Sequence, residues 1–226
     1  MANASAAGRQ AWDQHWRSLD GSAVFGRLAS WVRRAVLRPA VRHYTDRWLA
    51  AEGVLVEAGC GTGEASAVVR RGKRRLVGLD FSLPVLLSGR GLPPYHFRVA
   101  ADLRALPFAD GAVAGFWNLG VLEHFPPADG LAVLAELRRA LRPGGRAVLF
   151  WPPSFGLSRC VLAPVEALRS VATRRRFRFF PDEVNRLGSR RQGRATLAAA
   201  GLQPLAADFT PRDSFIHLVL VGMKTA

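Results

Sequence analysis

The sequence predicts an α/β fold: a seven-stranded sheet, mostly parallel, with an antiparallel C-terminal strand and helices on both faces. Three observations predict it. Residues 54–64, Val-Leu-Val-Glu-Ala-Gly-Cys-Gly-Thr-Gly-Glu, read as a buried strand, a glycine turn and a helix start. Apolar strand-like runs and helical spacing then alternate through residues 52–152. Finally, Arg190 to Ala200 reads as a helix ended by Gly201, followed by Leu202–Thr210 and Phe215–Val221 as two strands joined by Pro-Arg-Asp. A dehydrogenase-type domain would close with another parallel strand instead.

The first strand ends in Glu57, and Gly59, Gly61 and Gly63 follow at every second position. Such a loop lets backbone approach a ligand closely. The spacing differs from the G-x-G-x-x-G of pyrophosphate binders. An acid before the glycines disfavours a phosphate and suits an ammonium or sulfonium charge. Arg75-Leu-Val-Gly-Leu-Asp80 reads as the second strand. Asp80 lies 23 residues after Glu57, close to the spacing, about 20 residues, at which an acid meets ribose hydroxyls. Phe97 to Leu103 is the third element, with Asp102 at its end. Ala112 to Phe125 carries the fourth strand and Asn118. Leu131, Leu134, Leu137 and Leu141 recur at helical spacing. Arg142-Pro-Gly-Gly145 stops that helix, and Arg146 to Trp151 is the fifth strand.

These motifs, in this order, resemble the class I S-adenosylmethionine-dependent methyltransferases, in particular their small-molecule, type 11-like branch. The resemblance rests on E-x-G-x-G-x-G at 57–63, the acids Asp80 and Asp102, Leu122-Glu-His124 and Leu141-Arg-Pro-Gly-Gly145, and covers residues 52–152. It implies a Rossmann-like fold and S-adenosylmethionine as cofactor, with S-adenosylhomocysteine as product. Glu57 would lie near the amino-acid end of the cofactor. Gly59, Cys60, Gly61 and Gly63 would form the loop, where Cys60 supplies a small residue. Asp80 would hold ribose, with Phe81 and Ser82 beside the nucleoside. Asp102 would take the adenine amino group and Leu103 a ring nitrogen through its backbone. Asn118 would lie near the methionine part. His124 is the candidate general base, against a scaffold role that the same position has in members with different chemistries.

At 226 residues, a single domain is expected over 1–226. Within it, 1–50 reads as a helical N-terminal lid, 51–152 as the cofactor-binding core, 153–194 as a substrate-cap insertion and 195–226 as the C-terminal helix and β-hairpin. No apolar run reaches the ~18 residues of a membrane span, and the N-terminus lacks the apolar core of a signal peptide. A cytoplasmic protein is expected, with membrane association as a candidate property. Two cysteines make no disulfide framework, and no Cys/His cluster predicts a metal.

The net charge is +15, and all but two of the 32 basic residues are arginine. Base composition of the genome explains such a bias as well as function does. The excess falls outside the core, with eight Arg against three acids in 1–50 and ten against three in 154–194. Trp12, His15, Trp16 and Leu19 share one helical face, and a second stripe carries Arg27, Arg33, Arg34 and Arg38. A basic helix with a Trp can lie on an anionic membrane or pack as a lid; the lid is favoured. Val161 to Val171 can form a helix, and Thr173 to Pro181 is a basic and aromatic run. Trp12, Trp16, Tyr44 and Trp151 are candidate substrate contacts.

The activity these features point to is methyl transfer to a small-molecule acceptor: a lipid, quinone, sugar or secondary metabolite. Two readings of other classes stand beside it. One is an RNA methyltransferase or RNA-binding protein using the Arg-rich flanks, which ranks lower because no RNA-binding module is visible. The other is a non-catalytic cofactor-binding scaffold. A nicotinamide oxidoreductase is disfavoured by the glycine spacing and terminal hairpin. Oligomeric state is not legible.

Overall fold

The structure is a computed structural model that describes residues 12, 30–88, 94–157, 166, 168, 170, 174 and 183–226. A wide π-turn, Arg33–Leu37, leads into α1, Arg38–Trp48. Pro39 near its start costs no helical hydrogen bond there. Strand β1 is Glu52–Ala58, and β2 is Lys73–Asp80. Helix α2 is Leu83–Ser88, β3 is Phe97–Ala100 and β4 is Val113–Leu119. Helix α3, Pro127–Ala140, passes directly into β5, Leu141–Trp151. Helix α4, Arg190–Ala199, is capped by the Ser189 side chain, which accepts from the Gln192 N–H. Strands β6, Gln203–Asp208, and β7, Leu218–Met223, close the sheet.

The sheet has seven strands in the order β3-β2-β1-β4-β5-β7-β6. Strand β7 is antiparallel to both neighbours, and every other pair is consistent with one direction. The expected fold class therefore holds, including the single reversed strand. The parallel strands read as near-continuous apolar runs because both faces are covered. On one face Ala40, Val41 and Tyr44 of α1 pack with Leu55, Leu76, Trp117 and Phe150. On the other, Val133, Leu134 and Leu137 of α3 and Leu197 of α4 pack with Val56, Phe116 and Leu149. Each valine, leucine or phenylalanine so taken from water contributes roughly 1.5–3 kcal/mol.

Local differences from the sequence expectation have simple causes. The turn after the glycine loop is a short 3-10 helix, Ala65–Val68, not the opening of a long helix. The α3 stripe runs through Gly130, Val133, Leu134, Leu137 and Ala140, while Leu131 is 39 % exposed. Four leucines at plausible spacing misplaced the first of them by one position on the helical wheel. Of the predicted 161–171 helix, Glu166, Leu168 and Ser170 are described, and all three are helical. Most of the substrate-cap insertion and of the first 29 residues lies outside the described residues, Trp16 among them.

Candidate functional site

The strand order itself builds the site. In β3-β2-β1-β4, four adjacent C-terminal strand ends carry Asp102, Asp80, Glu57 and Asn118 in a row. Neighbouring strands lie about 4.8 Å apart, so the row is about 14 Å long, enough for a nucleoside joined to an amino acid. The order reverses between β1 and β4, and a crevice at such a switch point, beyond the strand ends, is where open α/β sheets take ligands. The glycine loop leaves β1 at that point.

The loop can only be built from glycine at two places. Gly59 has φ +76, and a Cβ there would stand 2.6 Å from Val121 Cγ2. Gly63 has φ +81, and a Cβ would stand 2.6 Å from the Tyr95 ring. Side chains at either position would fill the cradle or displace its walls. The loop is tied down by Gly59 N–H and Cys60 N–H, both donating to the Leu79 carbonyl, and by Gly63 N–H donating to the Cys60 carbonyl. Arg98 reaches over the Tyr95 ring and donates to the Thr62 carbonyl at 3.2 Å. Cys60 is buried, and burial pushes its thiol above the ordinary range.

Asp80 accepts the Gly61 N–H on one oxygen and the Ser82 N–H on the other, each at 2.9 Å. Each carboxylate oxygen can accept a further bond, so the arrangement orients two acceptors for a diol while fixing the loop. Ser82 is buried and Phe81 is half-buried beside it. Asp102 is held by Arg104, which donates from Nη2 to Oδ2 at 2.7 Å and from Nε to Oδ1 at 3.1 Å. Arg104 also pairs with Asp129 on α3 at 3.1 Å. Leu103 is buried next to it.

Glu57 is buried and bonded by the Tyr95 hydroxyl. Burial pushes its carboxyl up to about 7, with Tyr95, Ser66 and Trp117 holding part of the rise back. Trp117 Nε1 donates to Ser66 Oγ at 3.0 Å, which completes the network beneath the loop. Asn118 Oδ1 accepts the Phe150 N–H at 3.2 Å and so fastens β4 to β5 at the site edge.

After β4, Leu122–His124 form a 3-10 turn. The His124 ring meets Trp12 edge to face, with centroids 4.8 Å apart. Its Nε2 is 3.7 Å from Glu123 Oε1, beyond a hydrogen bond. Glu123 is buried, and burial pushes its carboxyl up to about 8. Among the described residues its Oε2 has no hydrogen-bond partner. Two other residues of the candidate substrate set sit in packed surroundings. Tyr44 is buried against Phe150 and donates to Asp208 at 3.2 Å. Trp151 is buried and donates from Nε1 to the Asn185 carbonyl at 2.6 Å.

The N-terminal segment reaches the loop through Glu64, the residue after Gly63. Ser30 donates to its carboxylate, Arg33 pairs with it at 2.8 Å and Arg34 at 2.9 Å, and Arg38 donates to its carbonyl at 3.0 Å. Burial opposes ionisation of Glu64, and these donors outweigh it, so the carboxyl is held below its usual range. Sequence reasoning named none of Glu64, Tyr95, Ser66, Trp117, Arg104 or Glu123 as site residues. Glu64 stood in the motif itself; Tyr95, 38 residues from its partner, carried no local signal.

Residues 56–149 match the family model described as a methyltransferase domain. The chain is 38 % identical over 136 residues to a malonyl-[acyl-carrier protein] O-methyltransferase of Pseudescherichia vulneris, covering 57 % of this chain and 51 % of that protein. It is 34 % identical over 125 residues to a demethylmenaquinone methyltransferase of Renibacterium salmoninarum, covering 53 % and 52 %. It thus spans about half the length of the curated relatives it matches. Among solved structures, magnesium protoporphyrin IX methyltransferase from Synechocystis PCC 6803 with bound S-adenosylhomocysteine superposes with TM-score 0.64 at 18 % identity, over 96 % of this chain and 98 % of that one. The [4+2]-cyclase SpnF superposes with TM-score 0.62 at 17 % identity, over 84 % and 82 %. These two likenesses concern the fold alone. The match to the methyltransferase-domain family is thus carried by residues 56–149, the stretch that holds Glu57, Asp80, Asp102 and Asn118.

Proposed function

We propose that this protein transfers a methyl group from S-adenosylmethionine to a small-molecule acceptor. The observation that carries the reading is the row Asp102–Asp80–Glu57–Asn118 at four adjacent strand ends beside a glycine-only loop. Asp80 would bind the ribose hydroxyls, Asp102 the adenine amino group and Leu103 N–H a ring nitrogen. The glycine loop would pass beneath the amino-acid portion, with Glu57 fixing the loop from below. When bound, the cofactor supplies an electrophilic methyl carbon on a positive sulfur. The protein's own task is alignment of an acceptor against it, worth roughly 7 kcal/mol or more in well-oriented cases.

His124 would accept the acceptor's proton, and Trp12 would cover that ring from the lid. The named relatives are a malonyl-[acyl-carrier protein] O-methyltransferase and a demethylmenaquinone methyltransferase, and an apolar or acyl-bearing small molecule is the acceptor class that this likeness supports. A scaffold without catalysis is the second reading, and the burial of Tyr44 and Trp151, two of the candidate substrate contacts, is what favours keeping it. The test is calorimetric titration with S-adenosylmethionine and, in parallel, NADH. Micromolar binding of S-adenosylmethionine that Asp80→Ala weakens about 10- to 100-fold supports the proposal, and a folded sample that binds neither ligand refutes it. Methyl transfer to a panel of acyl, quinone and sugar acceptors then separates enzyme from scaffold.

A further inference from the structure

The outer surface of α1 carries a groove of about 680 Å³ lined by Arg34, Arg38, Arg42 and Arg47 with His43 and Asp46. Its floor lies next to the glycine loop, since Arg34 and Arg38 also reach Glu64. Around it, Arg33, Arg70 and Arg74 join the same two carboxylates, Glu64 and Asp46. Seven arginines thus gather here, five of them in ion pairs with these two acids.

The acids organise the arginines more than they neutralise them. Arg34 contacts Glu64 through Nε, and Arg42 and Arg70 contact Asp46 through Nε. These three side chains are 64 %, 51 % and 65 % exposed. Arg34 is held at Nε by a hydrogen bond of 2.9 Å, while Arg42 and Arg70 stand 3.8 Å and 3.3 Å from Asp46 as looser ion pairs. Donors already ordered in this way lose less freedom on meeting an anion, and a guanidinium matches phosphate geometry. The local field is visible at His43, whose pKa is lowered by burial and then by Arg212 and Arg47. One helical turn before Arg34, Trp31 is 61 % exposed. A Trp beside a row of cations is the pairing that suits a lipid headgroup layer, where the ring sits at the interface and the cations meet phosphates. The aromatic rings at the other end of the helix are less available for stacking bases, because Trp48 is covered by Arg47 and Arg146.

We infer that this groove, with Trp31 beside it, is a docking surface for an anionic membrane. It holds lipid phosphates on the arginines and sets the glycine-loop side of the domain towards the bilayer. The inference does not depend on methyl transfer, and its test needs no acceptor and no cofactor.

The whole chain is sedimented with vesicles of phosphatidylcholine alone, and with vesicles that also contain phosphatidylglycerol. The expected result is partition onto the anionic vesicles only, falling steeply with added salt. Arg42→Gln and Arg47→Gln should each lower the partition coefficient about five-fold, as a basic residue near an anionic surface predicts. Trp31→Ala should lower it as well, without changing the salt slope. Near-ultraviolet circular dichroism checks the fold of each variant. Equal partition onto both vesicle types overturns the proposal, and so does partition that the arginine variants leave unchanged. Full displacement by glycerol phosphate at matching phosphate concentration would assign the groove to a free phosphate instead. Binding of an RNA oligonucleotide or an acidic protein without any vesicle partition would assign it to that partner. Loss of vesicle binding leaves the cofactor titration untouched, so the two readings fail separately.

Discussion

Trp12 and His124 stand edge to face, with ring centroids 4.8 Å apart and planes at 89°. The contact joins a residue of the N-terminal segment to the turn that follows β4. A covering ring and a candidate base are therefore one unit, and each sets the surroundings of the other.

Replacing His124 with Asn should lower methyl transfer about 100-fold or more, the usual contribution of a positioned base, with cofactor affinity unchanged. Trp12→Ala should raise KM for the acceptor more than it lowers kcat. Steady-state kinetics with the first acceptor found in the panel checks both, and unchanged turnover in the Asn variant removes His124 from the chemistry.

Asp80→Ala removes the acceptor for the Gly61 and Ser82 N–H groups along with the ribose contact. Cofactor affinity should fall about 10- to 100-fold, since hydrogen bonds to charged groups contribute about 1.5–3 kcal/mol. Calorimetry reads this directly. Affinity within a factor of two of the parent would place the ribose elsewhere.

The buried carboxyls give a pH dependence of defined sign. Glu57 and Glu123 are raised from an ordinary 4.5 to about 7 and about 8. A raised acid contributes its stability fully below the unfolded value and loses it as pH climbs through the folded one. Thermal stability should therefore decline between pH 4.5 and 8 on account of these two groups. Glu123→Gln should flatten part of that decline, because an amide does not ionise as the pH rises. Parallel slopes for parent and variant in a melting series would contradict it.

Glu64→Gln should loosen the N-terminal helix from the loop. Exposed and partly exposed ion pairs contribute up to about 1 kcal/mol each, so local opening should become easier by about 1–2 kcal/mol. Hydrogen exchange at residues 30–38 should speed up, with protection in β1 and β4 unaltered.

Gly63→Ala meets both an unfavourable φ and the Tyr95 ring. A loss of about 2 kcal/mol is expected, in the range of left-handed strain plus a steric shift. Urea denaturation measures it. Gly72, at φ +49 with open space around it, should tolerate Ala with only the backbone part of that cost.

The parts of the site that were legible in the sequence share a property: each sits within a few residues of a strand end. Glu57, Asp80, Asp102 and Asn118 follow apolar runs, so locating the strand locates the residue. The sheet order then brings them together, and the reversed β7 was legible from the short Pro-Arg-Asp connection. The partners that tune those residues were hidden. Tyr95 meets Glu57 only because Gly78 and Gly63 leave room for its ring, a relation across three elements with no periodic trace. Arg104 looked like one arginine among thirty, and its clamp on Asp102 depends on a local turn. The Arg-rich face of α1 was visible as charge, but its arrangement around Glu64 and Asp46 was not.

Strand β7 also sets a schedule for building the protein. Among the described residues β6 has β7 as its only neighbour in the sheet, and β7 separates it from β5. During synthesis β6 emerges before β7 and lacks its partner, because the place beside β5 belongs to β7, a strand not yet made. Five strands can assemble as they appear, whereas β6 must wait, with both backbone edges open. In that interval the edges of β5 and β6 are the surfaces a ribosome-bound chaperone would have the most reason to cover.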